Sequence, residues 1–130
     1  EKYFNKAIEI NNKYFDSFNN LMDLYERTNK NEKLIETINK AKKYFPNNLV
    51  IELFYGQYLY KVDKYKDSIN CLNKISFNGK DLKREKFKSL ILAKSYDKIN
   101  ETSLAFSYFE KSNLLNLKNK NNEYSYIYSL

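Results

Sequence analysis

Apolar residues return along this chain at two alternating spacings, and together they predict pairs of helices. In three segments the key residues fall at i, i+3, i+4 and i+7, and after a polar gap at i, i+4 and i+7. Both spacings draw one stripe along a helix of 3.6 residues per turn. The first segment reads Phe18, Leu21, Met22 and Tyr25, then Leu34, Ile38 and Ala41, and closes on Pro46. The second reads Glu52, Tyr55, Gly56 and Leu59, then Ser68, Leu72 and Ile75. The third reads Ser89, Leu92, Ala93 and Tyr96, then Ala105, Phe109 and Ser112. Met22 and Gly56 are 34 residues apart, and Gly56 and Ala93 are 37 apart. The extra residues fit a longer connection near Phe77-Asn78-Gly79-Lys80. Between the halves stands a short polar residue: Asn29, Asp63 or Asn100. Asn and Asp tolerate the left-handed conformation that ends a helix, and they also cap the next one. The sequence leaves both roles open.

A period near 34 with Leu-small-x-x-Tyr, then Ala-x-x-x-Phe, then Pro, resembles the tetratricopeptide repeat. Leu21, Tyr25, Ala41 and Pro46 carry the likeness in the first segment, Gly56 in the second, and Leu92, Tyr96, Ala105 and Phe109 in the third. Met22 and Glu52 depart from it, standing where the family has a small and a bulky aromatic residue. The resemblance implies an all-α fold, a right-handed superhelix of antiparallel helix pairs. The expected repeats are 15–46, 49–78 and 83–116, in a single array over 1–130. Residues 1–12 read as the second helix of a partial repeat, because Phe4 and Ala7 precede Ile38 and Ala41 by one period. The chain thus opens inside a helical pattern, as a piece of something longer would. At the other end, Asn119 to Asn122 reads as a polar break before a capping helix over 121–130. The alternation of Tyr124, Tyr126 and Tyr128 suits a strand, but a helical neighbour to pack on favours the helix.

Packing follows from the register. One helix pair cannot cover its own apolar stripe, so neighbours stack into a continuous core. Gly56 and Ala93 are expected where the two helices of a pair cross. Ala7, Ala41 and Ser112 are expected where a second helix meets the following pair. Leu21, Tyr25, Leu59, Leu72, Leu92, Tyr96 and Phe109 would fill the space around them.

Composition changes this picture little. Two Gly and one Pro in 130 residues leave few turn-formers for a sheet. The formal charge of +7 spreads over lysines mixed with acids, the pattern of solvated helix faces rather than a nucleic-acid footprint. No apolar run approaches the ~20 residues of a membrane span; Leu49 to Tyr60 is broken by Glu52 and Gln57. A single cysteine, Cys71, suits a reducing, cytoplasmic setting.

Candidate chemistry is sparse. The chain has no histidine, which removes the commonest general base and metal ligand. Cys71 has no imidazole to activate it. Asp23 and Glu26 share a helix face but read as salt-bridge partners. The two glycines, Gly56 and Gly79, make no phosphate loop. The expectation is a chain with no cofactor, no metal and no catalytic site.

In the tetratricopeptide family the first helices of successive repeats line a groove that holds a peptide or partner segment. The resemblance places Asp16, Asn19, Asn20, Asp23 and Glu26 in that groove, then Val50, Leu53, Phe54, Gln57 and Tyr60, then Phe87, Leu90, Ile91, Lys94 and Asp97. The family's Lys/Asn/Arg clamp on chaperone carboxylates is missing, since Asn19, Asp23 and Phe54 stand at its place. An asparagine ladder is missing too, because Asn20 is followed by Phe54 and Ile91. The apolar patch of Leu53, Phe54, Leu90 and Ile91 invites a peptide, a helix, or a second copy. The expected function is therefore a non-catalytic protein–protein interaction scaffold. A second likeness covers the last third only. Leu104-Ala105-Phe106 with Phe109, Asn113 and Leu115 is similar to the last repeat of bacterial arrays joined to a sulfotransferase domain. It implies an accessory substrate-positioning or dimerisation arm of a larger enzyme.

Overall fold

The computed structural model describes the backbone of residues 15–129 and the side chains of residues 15–118. Within them the chain is all helix, with six helices and no strand: α1 (Phe15–Arg27), α2 (Asn31–Tyr44), α3 (Leu49–Lys61), α4 (Tyr65–Leu72), α5 (Leu82–Lys98) and α6 (Thr102–Ser129). Residues 1–12, read as the tail of a preceding repeat, and Ala7 with them, lie outside the described residues.

The connections 28–30, 62–64 and 99–101 are one turn used three times. Asn29, Asp63 and Asn100 all have positive φ, at 57°, 66° and 65°. In each turn that residue's N–H bonds to a carbonyl three back: Glu26, Tyr60 or Asp97. The next N–H reaches five back, Lys30 to Tyr25 at 2.9 Å, Lys64 to Leu59 at 2.8 Å and Glu101 to Tyr96 at 2.9 Å. That pair of bonds is the Schellman ending of a helix. The Asn and Asp residues therefore terminate the first helix. The N-caps of α2 and α4 are Lys30 and Lys64, side chains with no acceptor to offer a helix start. Turns this short return the chain antiparallel to itself.

Second helices contact the first helix that follows: α2 touches α3, and α4 touches α5. First helices also touch one another, α1 with α3 and α3 with α5, whereas second helices do not meet among the described residues. The buried residues form two clusters. Phe18, Leu21, Met22 and Tyr25 of α1 join Leu34, Ile38 and Ala41 of α2 and Ile51 of α3. Leu53 of α3 joins Ile69 and Leu72 of α4, Ile75, and Ile91 and Leu92 of α5. Helix α3 is therefore covered on both sides, which explains why Leu49 to Tyr60 is the most apolar stretch of the sequence.

Gly56 lies at the α3–α4 crossing. A Cβ there would stand 2.7 Å from Leu72 Cγ and closer still to one of its methyls. The Ser68 hydroxyl donates to the Gly56 carbonyl at 2.7 Å across the same approach. Met22 and Ala93, at the matching places, are fully buried.

Three expectations need correction. Helix α4 stops at Leu72, so Ile75 is not on it. The backbone tightens there into three-residue bonds, Lys74 N–H to Cys71 and Ile75 N–H to Leu72, and Ile75 is buried beyond the helix end. Phe109 does not fill the core: it is 38% exposed, and Tyr108 packs inward against the core instead. Helix α6 runs unbroken through Asn119 to Asn122 to Ser129, so 121–130 is not a separate cap. That polar tract holds neither Gly nor Pro, the residues that stop a helix interior.

Candidate functional site

The face shared by α1, α3 and α5 is the candidate site, and its residues divide into three kinds. Asp16, Asn20, Asp23, Lys94 and Asp97 are exposed, while Asn19, Val50, Phe54, Tyr60, Phe87 and Leu90 are half-buried. Leu53 and Ile91 are the exceptions to the expected groove. They are 4% and 3% exposed and lie inside the second cluster, between α3, α4 and α5. One residue is 100° on a helix, so Leu53 turns inward while its neighbour Phe54 stays partly open.

Polar groups tie α1 to α3 on this face. The Gln57 amide donates to Glu26 Oε1 at 3.0 Å. Lys61 pairs with the same carboxylate at 3.2 Å and donates to the Glu26 carbonyl and, at 3.0 Å, to Asn29 Oδ1. Gln57 and Glu26 are thus bound to each other. The sequence reading missed Lys61. Its signal was a basic residue at the same place in every pair: Arg27, Lys61 and Lys98 follow one another at 34 and 37 residues. Arg27 pairs within its own helix with Asp23 at 2.9 Å, whereas Lys61 crosses to the neighbour.

Farther along, Phe87 and Leu90 open into a cleft of about 350 Å³ that also takes in Leu82, Lys86, Leu115 and Asn116. Lys86 bridges it, donating to Asn116 Oδ1 at 3.1 Å. Neither Lys86 nor the α6 residues featured in the expected groove. Leu115 and Asn116 come from a second helix, which the first-helix rule does not consider, and Lys86 reaches them from α5.

On the other side of α3, Cys71, Glu52 and Tyr55 line a broader cleft of about 580 Å³. The Cys71 thiol lies 3.4 Å from the Glu52 carbonyl and 3.7 Å from its carboxylate. Burial first, then the Glu52 charge, push the thiol up to about 11, so it stays protonated at neutral pH. Lys42 sits 3.9 Å from the Tyr55 ring centre and 3.5 Å from Glu52, which ties α2 to α3. Among the described residues no three Cys, Asp or Glu side chains group so as to hold a metal. None of the described helices is long and apolar enough to cross a membrane.

The fold and this face define an all-helical protein of paired helices that leaves a mixed polar and aromatic surface along its first helices. Comparison with the profiles of known protein families gives no match, and comparison with curated proteins gives none either.

Proposed function

We propose that this chain is a superhelix of tetratricopeptide-type repeats and a non-catalytic scaffold that takes a peptide or partner segment along α1, α3 and α5. The observation that carries this reading is the contact pattern: first helices touch one another and second helices do not. Helices in mutual contact line the inner side of a curved stack, where an extended ligand can reach several repeats at once. The threefold recurrence of one turn at spacings of 34 and 37 supports the same reading. A cytoplasmic setting goes with it, supported by the lone thiol of Cys71.

The face favours a particular ligand. Exposed Asp16 and Asn20 at one end, with Asp23 beside its partner Arg27, offer oxygens to a cation, and half-buried Phe54, Phe87 and Leu90 give apolar footing beyond them. The expected peptide carries Lys or Arg followed by large apolar side chains. A displayed random-peptide library, selected on the wild-type chain and counter-selected on an Asp23→Lys/Phe54→Asp/Lys94→Glu variant, tests this. Enrichment of basic–apolar sequences that lose binding to the variant is expected. Enrichment of nothing, or of peptides that bind both proteins equally, overturns it.

A further inference from the structure

The outer side of α6 supports an inference that does not depend on the peptide-binding face. Ile38, Leu72 and Phe109 hold matching places in the three pairs. The first two are fully buried in clusters that reach the next first helix, whereas Phe109 is partly open. Phe106, Leu114 and Leu117 are more open still, at 65%, 66% and 57%. Phe106, Leu114 and Leu117 lie away from Ala105 and Ser112, which face inward, and Phe109 lies at the border between the two faces. At 100° per residue, Phe106 and Leu117 stand about 20° apart on one line, with Phe109 and Leu114 on its two flanks. An apolar stripe of this extent on a surface helix marks an interface.

The order of the residues indicates what covers it. In apolar and polar classes, though not residue for residue, the stretch Phe106-x-x-Phe109-Glu110-x-x-Asn113-Leu114-x-x-Leu117 reads the same from either end. Large apolar residues mirror one another about the midpoint between Lys111 and Ser112, and inside them Glu110 mirrors Asn113. A carboxylate accepts hydrogen bonds and an amide nitrogen donates them. Two antiparallel copies of α6 about a two-fold axis at that midpoint would set Phe106 level with Leu117 of the other copy. They would also set Glu110 level with the other copy's Asn113, twice. A two-fold contact needs a self-complementary surface of this kind, and polar groups within an apolar seam fix its register. We propose that this chain forms a symmetric dimer through antiparallel packing of α6 on α6 of a second copy, centred between Lys111 and Ser112.

Sedimentation equilibrium of the whole chain from micromolar to millimolar concentration tests the proposal. A monomer–dimer equilibrium is expected. Phe106→Glu and Leu117→Glu should each weaken it by about tenfold or more. Their helical circular dichroism should stay that of wild type, since both side chains are mostly solvent-exposed in one copy. Orientation is read in a Cys71→Ser background. Phe106→Cys chains mixed with Leu117→Cys chains should give the mixed disulfide, and neither variant alone should cross-link. A monomer at every concentration overturns the proposal and leaves the stripe to a following helix or another protein. A dimer indifferent to both Glu variants, or disulfides formed by each Cys variant alone, overturns it as well.

Discussion

The two junctions between helix pairs do the same job by different means. Residues 45–48 carry the chain from α2 to α3 with Pro46, with Asn47 in the left-handed region, and with Asn48 as a cap. The Asn48 side chain accepts from Val50 N–H at 2.9 Å and Ile51 N–H at 3.2 Å. The hydrogen bonds of this junction are supplied within a few residues, while Phe45 packs edge-on against Phe15 and Phe18. Residues 73–81 take a longer path from α4 to α5, with Asn78 and Gly79 both at positive φ. Asp81 caps α5 through Arg84 N–H, but the loop also draws on the helix that follows. Glu85 reaches back to accept from Phe77 N–H at 2.6 Å, and Lys88 donates to the Ile75 carbonyl at 2.9 Å. These two side chains lie 3.4 Å apart and are almost wholly buried. The pairs on either side keep identical turns. The longer period is therefore absorbed between pairs, and a buried ion pair holds the surplus chain.

The largest effect should come from breaking that ion pair. Lys88→Met leaves the Glu85 carboxylate buried without its counter-charge, and removing one partner of such a pair costs about 3 kcal/mol. Urea denaturation should show this as a lower midpoint. The double variant Glu85→Gln/Lys88→Met should recover part of the loss, since no unpaired charge remains. If Lys88→Met costs less than removing the cap at the short junction, the contrast between the junctions is wrong.

Within a pair the expected loss is smaller. Gly56→Ala gains about 1 kcal/mol of helix propensity. It also drives a methyl into the buried Leu72 side chain, an overpacking that costs about 1–3 kcal/mol. A net loss of up to about 2 kcal/mol is expected from thermal unfolding. A more stable Gly56→Ala protein would mean that α3 and α4 do not approach so closely. At the short junction, Asn48→Ala should cost about 1 kcal/mol, the usual loss of an N-cap.

The helices were legible because their signal is repetition. Met22, Gly56 and Ala93 sit at matching places on first helices, and all three are buried. The role of Asn29, Asp63 and Asn100 was open in the sequence because one residue type serves both helix ends; backbone φ decides it. What repetition does not encode was missed. Glu85 and Lys88 act on a loop that no other pair contains. Leu53 and Ile91 looked like groove residues because they hold the places of Asn19 and Asn20 in the first pair, and those two are the more open. The burial of Leu53 and Ile91 depends on how α3 and α5 meet, which no single helix pattern records. The end of α6 was misread for a related reason: a run of Asn and Lys is polar, yet polarity does not stop a helix.

The smallest effects should be at the three shared turns, and their ranking tests how alike those turns are. A left-handed residue with a Cβ is strained by about 1–2 kcal/mol, less for Asn, and Gly removes that strain. Asn100 makes no side-chain hydrogen bond among the described residues, so Asn100→Gly should stabilise by about 0.5 kcal/mol. Asn29→Gly also loses the bond from Lys61, and Asp63→Gly loses the one from the Tyr65 hydroxyl at 2.8 Å. Asn29 and Asp63 are themselves exposed, so each loss roughly cancels the gain. Chemical denaturation should therefore rank Asn100→Gly above the other two, with all three within about 1 kcal/mol of wild type. A loss of more than that at Asn100 alone would show that the third turn is built differently, and that the change of period reaches inside the pair rather than stopping at the junction.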